Sequence, residues 1–351
     1  MSGDAGPALP QEEARGLTHP LEAALYGFMA SHVLFTGDET GVFERLASSP
    51  SCSATEIAAA AGLQPDVTAR FLNACAALGF LVKQSDQFVM PDELRPFLAR
   101  SGSKNFAGWL EHLRTVTVRS FSYLPEALRT GMPQLDRVLG PKSAATFDAL
   151  YADPVRVRAF ADAMWNLSFD VSREIAPYAP LSRARSLVDV GGGSGAFAIA
   201  AVLSHPELHA TVLDLPPLAV HCKRMATEFG VEDRVDFLAA DFFTDELPGA
   251  DAFVLGYILS DWSDEKGTAL LEKIFSRLES GGSVIVLERL LHDDRPGPAS
   301  AALMDLCMMV ESSGRHRTST SYIEWLQLVG FEGCTVRRSS ADKHMIFGFK
   351  P

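Results

Sequence analysis

The sequence predicts an α/β protein, with a doubly wound, mostly parallel sheet in its C-terminal half and a helical domain before it. Two observations predict this class. Up to about residue 182, apolar residues recur at three- and four-residue steps, as in amphipathic helices. From residue 183 onwards, short apolar runs typical of strands alternate with helical stretches. Such alternation favours a parallel sheet that is covered by helices on its faces.

Composition excludes several classes of protein. The chain has 351 residues, and its 31 Lys and Arg against 44 Asp and Glu give a net charge of −13. A uniformly acidic protein does not attract nucleic acid or an anionic membrane at long range, so neither is an expected partner. No apolar run approaches the length of a transmembrane helix.

Cysteine usage and the first residues favour the cytoplasm. The five cysteines are scattered without a C-x-x-C pair, which is typical neither of a disulfide framework nor of a cysteine zinc site. The N-terminus lacks the basic-then-apolar pattern of a signal peptide. We therefore expect a cytoplasmic protein.

The N-terminal domain, residues 17–100, reads as a winged helix-turn-helix that follows a flexible segment, residues 1–16. Its two short helices begin after candidate N-caps, Ser53 and Asp66, and Gly62 ends the first of them. A polar turn at Ser85 and Asp86 predicts a hairpin within residues 80–90. Residues 1–100 hold 6 Lys and Arg against 12 Asp and Glu, so DNA binding is disfavoured. Dimerisation and support of a substrate pocket are the expected roles.

Residues 101–182 are predicted to be a helical linker and substrate-pocket segment, with one helix over residues 146–153. Pro177 and Pro180 mark its end. The last domain, residues 183–351, then alternates strands with helices. Its predicted strands cover residues 186–191, 209–215, 235–241, 252–258 and 283–290, and a helix with two final strands completes the chain.

The motif that indicates a ligand-binding site most strongly is a glycine loop between a strand and a helix. Asp189 ends the first strand, and Gly191-Gly192-Gly193-Ser194-Gly195 follows. Glycines permit tight turning and close approach of a ligand to the backbone. Asp214 ends the second strand, where a carboxylate can bind ribose hydroxyls, and Asp241-Phe242 ends the third, where they can meet a base. These positions lie at the ligand-binding edge of a doubly wound sheet.

With these motifs, the sequence resembles the S-adenosylmethionine-dependent class I O-methyltransferases. They include plant caffeate- and flavonoid-type, melatonin-forming, and bacterial polyketide- and phenazine-tailoring enzymes. The segments DVGGGSG, VLDLP, ADFF, LPGAD, LSDW and LESGGSVIVLE carry the resemblance, which extends from Leu17 to the C-terminus. It implies a Rossmann-like, seven-stranded sheet, a winged-helix domain that forms a homodimer, and a small-molecule acceptor from secondary metabolism.

The resemblance implies S-adenosyl-L-methionine as cofactor, S-adenosyl-L-homocysteine as product, and no metal. The residues it assigns to the cofactor are Gly191, Gly193, Asp214, Leu215, Asp241, Phe242, Tyr257 and Trp262. One departure concerns a lysine that often precedes the catalytic block in the family, because Gly256 stands in its place here.

A second departure lies in the catalytic block itself. The family block is L-H-D-W, and its histidine deprotonates the acceptor hydroxyl, whereas this chain has Ser260 before Asp261 and Trp262. A serine hydroxyl is not a base at neutral pH. Glu288 stands where the family has a glutamate that orients the histidine, and His316 replaces a second family glutamate.

Several interpretations of this exchange remain open. His316 is a relocated base, held by Glu288 or Asp261; or the site has no base and works by proximity and orientation. Asp261 and His316 could also help to bind a metal, although a stable site usually needs three ligands. A solvated His316 without a role is the remaining alternative.

Candidates for the acceptor site are less specific. Helices of the family supply the acceptor wall, and the matching stretches here contain Met164, Trp165 and Ser168, and Met304, Cys307 and Met308. Such apolar stripes also occur as plain core. Arg119 and Tyr123 are candidates for binding an acceptor carboxylate.

We therefore expect a methyltransferase that methylates oxygen on a small acceptor. The alternatives are S-methylation of a thioether acid, which needs no base, C-methylation of a keto acid, and a fold repurposed as a hydroxylase or pericyclase. A DNA-binding regulator is opposed by the acidic helix-turn-helix.

Overall fold

The computed structural model describes residues 20–102, 104–140 and 153–351. These divide into two compact units, one ending at Glu111 and the other beginning at His112. The predicted flexible segment, residues 1–16, lies outside the described residues, and so does the predicted helix over 146–153 except for Asp153. None of the described helices is both long and apolar enough to cross a membrane.

The first unit is helical with a small wing. Its helices are α1 (Pro20–Glu39), α2 (Val42–Ala47), α3 (Ala54–Ala61), α4 (Pro65–Ala77), α5 (Arg95–Leu98) and α6 (Ala107–His112), the last of which crosses the boundary between the units. The strands β1 (Cys52–Ser53), β2 (Val82–Gln84) and β3 (Gln87–Val89) form an antiparallel sheet in the order β1-β3-β2. Fully or nearly fully buried apolar side chains, among them Phe43, Ile57, Leu72 and Phe88, form its core.

The predicted winged helix-turn-helix is present in this unit, with one correction at a helix start. Ser53 caps α3 through a capping box with Glu56, and Gly62 ends that helix in the left-handed conformation, as predicted. Asp66 is not the N-cap of α4, because Gln64 takes that position and Pro65 begins the helix. Proline favours the first helical turn, where its missing N–H costs nothing.

The second unit begins with helices. A wide helical turn (Leu113–Thr117) continues into α7 (Val118–Phe121), and α8 (Leu124–Thr130), α9 (Asp136–Leu139) and the long α10 (Pro154–Ile175) follow. The remaining helices alternate with strands; they are α11 (Ala196–Ser204), α12 (Ala219–Glu228), α13 (Asp264–Arg277), α14 (Ala299–Glu311) and α15 (Ser319–Val329).

The sheet of the second unit has the predicted doubly wound form. Its strands are β4 (Ser186–Val190), β5 (His209–Asp214), β6 (Val235–Ala239), β7 (Ala250–Gly256), β8 (Leu278–Leu291), β9 (Arg317–Thr318), β10 (Glu332–Arg337) and β11 (Lys343–Phe349). Seven of them lie in the order β10-β11-β8-β7-β4-β5-β6, and the short β9 pairs with β8 as an eighth. Strands β4 to β8 are parallel, whereas β10 and β11 are antiparallel.

The strand order fixes the position of the site. The chain enters the sheet at β4, moves outward through β5 and β6, and returns to the other side of β4 with β7. The two halves of the sheet diverge between β4 and β7, and open α/β sheets bind ligands at such a point. The Gly191–Gly195 loop follows β4, and the Ser260–Trp262 block follows β7.

Candidate functional site

The glycine loop turns tightly from β4 into α11. Gly191, Gly193 and Gly195 all have left-handed φ angles, of 66°, 59° and 79°. A Cβ at Gly191 would lie 2.4 Å from the Ile258 side chain, whereas a Cβ at Gly193 would meet nothing within 4 Å. Backbone conformation therefore requires glycine at Gly193, and the open space there admits a ligand.

Asp214 joins the end of β5 to this loop. Its Oδ2 accepts a hydrogen bond of 2.8 Å from the Gly193 N–H, and its Oδ1 accepts one of 2.7 Å from the Leu215 N–H. Burial raises the pKa of Asp214 to about 6, although both N–H groups favour its charged form. At neutral pH a carboxylate thus stands beside the glycine loop with oxygen lone pairs left to accept hydrogen bonds.

Asp189 supports the loop from beneath. Its carboxylate accepts a 3.2 Å hydrogen bond from the Ala198 N–H in the first turn of α11. A Cβ at Gly192 would lie 2.5 Å from the Asp189 carboxyl carbon, so only glycine fits there. Burial raises the pKa of Asp189 to about 7, and the Lys343 ammonium opposes this rise.

Aromatic side chains surround the same loop. The Phe242 ring would lie 3.4 Å from a Cβ at Gly191. Phe242 meets Trp262 edge to face, with ring centroids 6.4 Å apart, and Asp241 accepts a hydrogen bond from the Phe243 N–H. The structure therefore brings Phe242 and Trp262, both predicted cofactor residues, to the end of β4, with Asp241 next in the chain to Phe242.

A buried lysine, Lys343, is the site residue that sequence reasoning missed. Only 4% of Lys343 is exposed, and its Nζ donates a 3.0 Å hydrogen bond to Ser168 Oγ. The same Nζ lies 4.3 Å from the centre of the Tyr257 ring and 3.4 Å from where a Cβ of Gly256 would be. A cation thus lies beside Gly256, where the resemblance implies a lysine in the family. Its sequence signal is a lone charge beginning the apolar strand KHMIFGF.

Tyr257 has a strained backbone at this point. Its φ of 58° is left-handed, a conformation that bulky residues rarely adopt. Its N–H donates to the Leu287 carbonyl, and its ring packs on Lys343. Strain at such a position occurs where surrounding structure imposes it, and ligand-binding sites are common places for it.

The structure places Ser260 and His316 beside the same glutamate, Glu288. Glu288 is fully buried, and its Oε1 accepts a 3.0 Å hydrogen bond from the Ser260 N–H. Its Oε2 lies 3.9 Å from His316 Nδ1, and the described residues offer neither atom a hydrogen-bond partner. The loop before His316 passes close to the block, since a Cβ at Gly314 would overlap the Ser260 carbonyl oxygen.

Burial shifts the protonation of these groups in opposite directions. Burial, with the positive charge of Arg289, lowers the pKa of His316 to about 4. Burial, with the negative charges of Glu288 and Glu311, raises the pKa of Asp261 to about 8. Asp261 is partly exposed, and its carboxylate accepts no hydrogen bond from the described residues. At pH 7 His316 is therefore neutral and only weakly basic, whereas the Asp261 carboxyl is mostly protonated and becomes a base as the pH rises through about 8.

The predicted acceptor residues separate into two groups. On α14, Cys307 is buried while Met304 and Met308 are half-buried. On α10, Met164 is half-buried, Ser168 binds Lys343, and Trp165 is buried in the hydrophobic core, stacked on Phe169 at 4.2 Å. The core position of Trp165 does not favour its assignment to the acceptor wall, which stays a prediction.

Arg119 and Tyr123 lie on a shallow surface groove. Arg119 is exposed, and the Arg137 guanidinium lies 5.5 Å from the Tyr123 ring centre. Val138 and Ser122 complete the lining of this groove. A role for Arg119 and Tyr123 in acceptor binding stays a prediction. As to metals, the described residues contain no group of three or more His, Cys, Asp or Glu side chains placed to hold an ion.

Comparison with known proteins gives matches along most of the chain. Residues 121–332 match an O-methyltransferase domain and residues 23–93 an O-methyltransferase dimerisation domain. The chain is 33% identical to 3-hydroxy-5-methyl-1-naphthoate 3-O-methyltransferase of Streptomyces sahachiroi, over 90% of each chain. It is 32% identical to acetylserotonin O-methyltransferase of Gallus gallus, over 92% of this chain and 95% of that protein.

Solved structures agree with these relatives. Human N-acetylserotonin methyltransferase in complex with S-adenosylmethionine superposes with a TM-score of 0.87 at 29% identity, over 96% of this chain and 99% of that one. Mitomycin 7-O-methyltransferase superposes with a TM-score of 0.83 at 25% identity, over 94% and 97% of the two chains. The glycine loop, the doubly wound sheet and these matches together show that the chain belongs to the S-adenosylmethionine-dependent O-methyltransferase family.

Proposed function

We propose that this methyltransferase transfers the methyl group of S-adenosylmethionine to a hydroxyl oxygen of a small acceptor in secondary metabolism, with Asp261 as the base. The observation that carries the proposal is the contact between the two functional segments. Ile258, two residues before Ser260, and Phe242 both pack against Gly191 of the glycine loop. The cofactor loop and the catalytic block therefore share one edge of the sheet.

The residues at this edge fit the cofactor. Open space at Gly193 and the available lone pairs of Asp214 suit a nucleoside with a ribose diol, and the rings of Phe242 and Trp262 suit an adenine. Gly191, Leu215, Asp241 and Tyr257 complete the set that we propose to hold it. When bound, S-adenosylmethionine supplies a sulfonium methyl group, which is activated for transfer without further help from the protein.

Asp261 supplies the proton acceptor for the hydroxyl. General bases work best when their pKa lies near the operating pH, and the raised pKa of Asp261, about 8, meets this condition. Its partial exposure and free carboxylate allow an acceptor hydroxyl to approach. The proton moves from the hydroxyl to Asp261 as the new C–O bond forms, and S-adenosylhomocysteine is the leaving group.

The surrounding groups position Asp261 and exclude water. Glu288 fixes the backbone of the block by accepting the Ser260 N–H. His316 remains neutral and buried next to Glu288, so it fills the space beside the carboxylate rather than taking the proton itself. This assignment favours a base-assisted reaction over the two alternatives in which His316 is the base or no base exists.

We also propose that the N-terminal domain, residues 17–100, makes the enzyme a homodimer. Helix α1 presents exposed apolar side chains at helical spacing, namely Leu21, Leu25, Phe28 and Met29, which are between 51% and 61% exposed. An apolar stripe of this kind is typical of a protein–protein interface. We place the enzyme in the cytoplasm with no nucleic-acid or membrane partner, because its five cysteines are free and its charge is strongly negative.

A product screen tests the proposed reaction. The enzyme is incubated with S-adenosylmethionine that is isotope-labelled in its methyl group and with phenols, thioether acids and keto acids. We expect label in a methyl ether of a phenol, located by mass spectrometry and NMR. Label on sulfur or carbon, or no transfer to any acceptor despite cofactor binding, would overturn the proposal.

A further inference from the structure

A buried polar cluster lies beyond the catalytic block, between α14 and the helical stretch Leu113–Phe121. It consists of Glu311, whose side chain is only 10% exposed, with Thr117 and the fully buried Ser120. The oxygens Glu311 Oε1, Thr117 Oγ1 and Ser120 Oγ are all buried and have no hydrogen-bond partner among the described residues. A buried polar group without a hydrogen bond lowers the stability of the folded protein by about 1–3 kcal/mol.

The acidic member of the cluster is Glu311, and its recorded ion-pair neighbour is a histidine. The basic group within 4 Å of Glu311 is His112, whose Nε2 lies 3.9 Å from Glu311 Oε2. Burial lowers the pKa of His112, which favours the neutral imidazole. Burial also raises the pKa of Glu311, while its neighbours Thr117, Cys307 and Ser120 oppose that rise. A donor group from a ligand would satisfy this carboxylate.

The cluster also lies close to the proposed base. The charge of Glu311 raises the pKa of Asp261, and both carboxylates act on Cys307, a predicted acceptor residue on α14. Thr117 belongs to the wide turn Leu113–Thr117, and turns of this kind are frequent at functional sites. The backbone also brings the two groups together, because Gly314 follows Glu311 by three residues and a Cβ at Gly314 would lie 2.5 Å from the Asp261 carbonyl carbon.

We propose that the acceptor carries, besides the methylated hydroxyl, a second hydrogen-bond donor, an amine or another hydroxyl, which binds Glu311 beside Thr117 and Ser120. The inference rests on the proposed function and adds the acceptor's class to it. An acceptor without that donor leaves Glu311 unpaired, which gives strong discrimination. An acceptor with a carboxylate at that place brings a second acidic group beside Glu311 and offers it no donor, so its binding is disfavoured.

Three acceptors on one scaffold test this inference, namely naphthol, aminonaphthol and hydroxynaphthoic acid with matched substitution patterns. For the wild type we expect kcat/KM to be about 10- to 100-fold higher for aminonaphthol than for naphthol, because the amine adds a hydrogen bond to a charged group. Hydroxynaphthoic acid should have the lowest kcat/KM of the three. Glu311→Gln should remove the preference for aminonaphthol over naphthol. Glu279→Gln, which changes an exposed glutamate, is the matched control and should retain it.

Calorimetric titration of the same three compounds into protein saturated with S-adenosylhomocysteine measures the preference without turnover. A preference for aminonaphthol in binding, without methyl transfer to any acceptor, would overturn the proposed function but support the role of Glu311. Equal affinities and equal kcat/KM for naphthol and aminonaphthol in the wild type would overturn the inference alone. The inference would also be overturned if Glu311→Gln kept the wild-type preference for aminonaphthol. A wild-type preference does not depend on how well any variant folds.

Discussion

Ser260 stands where relatives of this chain are expected to carry a histidine, and the neighbouring side chains show the consequence. The imidazole of His316 lies 3.9 Å from Glu288, but burial and Arg289 keep its pKa near 4. Asp261, one residue after Ser260, has its pKa raised instead. These pKa shifts are the basis for proposing Asp261, rather than His316, as the base.

Asp214 gives the most direct residue-scale prediction. Replacing it with asparagine removes the charge that we propose to bind the ribose hydroxyls but preserves the shape of the side chain. We expect the dissociation constant for S-adenosylmethionine to rise about 10- to 100-fold, because hydrogen bonds to charged groups contribute about 1.5–3 kcal/mol. Isothermal titration calorimetry measures the change.

Asp236→Asn is the control for that substitution, since Asp236 is an exposed aspartate on β6 and should leave affinity unchanged. If Asp214→Asn bound the cofactor as tightly as the wild type, the assignment of Asp214 to the ribose would be wrong. Thermal denaturation of both variants separates loss of binding from loss of folding.

Sequence reasoning succeeded for residues that follow neighbouring strands. Ser260 and Glu288 lie 28 positions apart, but β7 and β8 are adjacent and parallel, so their C-terminal ends meet. It could not find that Thr117 lies near Glu311. These residues come from distant helices, and no local pattern fixes how two helices pack side by side.

At the scale of elements, β11 determines the environment of the cofactor edge. Its antiparallel register places Lys343 opposite Arg289 on β8 and buries the ammonium group against Ser168 and Tyr257. The apolar run of this strand predicted a strand, but not its insertion next to β8. The burial of Lys343 follows from that insertion, which local sequence does not specify.

Lys343→Met tests the role of this cation. The substitution leaves the carboxylates of Asp189 and Glu288, which the ammonium stabilises, buried without their compensating charge. We expect the free energy of unfolding to fall by about 1–3 kcal/mol in urea denaturation at neutral pH. The loss should grow as the pH rises from about 6 to 8, because both carboxyls have pKa values of about 7 and ionise in this range, where the wild type still has the ammonium. Above about pH 8 the loss should stop growing, because burial lowers the pKa of Lys343 to about 8 and the wild type then loses this charge as well.

Lys223→Met, at an exposed lysine on α12, is the matched control and should have little effect. A Lys343→Met variant that equals or exceeds the wild type in stability would contradict this account. It would show that the buried ammonium costs more in desolvation than it returns in charge compensation.

At the scale of the whole molecule, the exposed stripe on α1 predicts a dimer. We expect sedimentation-equilibrium experiments to give twice the 38.0 kDa mass of the chain at micromolar concentration. The double substitution Leu25→Asp and Phe28→Asp places charges in the stripe and should shift the equilibrium to the monomer.

Leu328→Asp serves as the control, because Leu328 is 79% exposed but lies on α15, far along the chain from the dimerisation domain. It should remain dimeric. A wild-type protein that sediments as a monomer, or a double variant that stays dimeric, would exclude α1 as the interface.

The central claim is that Asp261, and not His316, removes the proton from the acceptor. The most direct measurement is the pH dependence of single-turnover methyl transfer for the wild type, Asp261→Asn and His316→Gln. The wild-type rate should rise with pH through about 8, where Asp261 ionises, and Asp261→Asn should be slow and nearly independent of pH. His316→Gln should retain the wild-type profile. The claim would be contradicted if Asp261→Asn kept the pH dependence of the wild type and His316→Gln lost it.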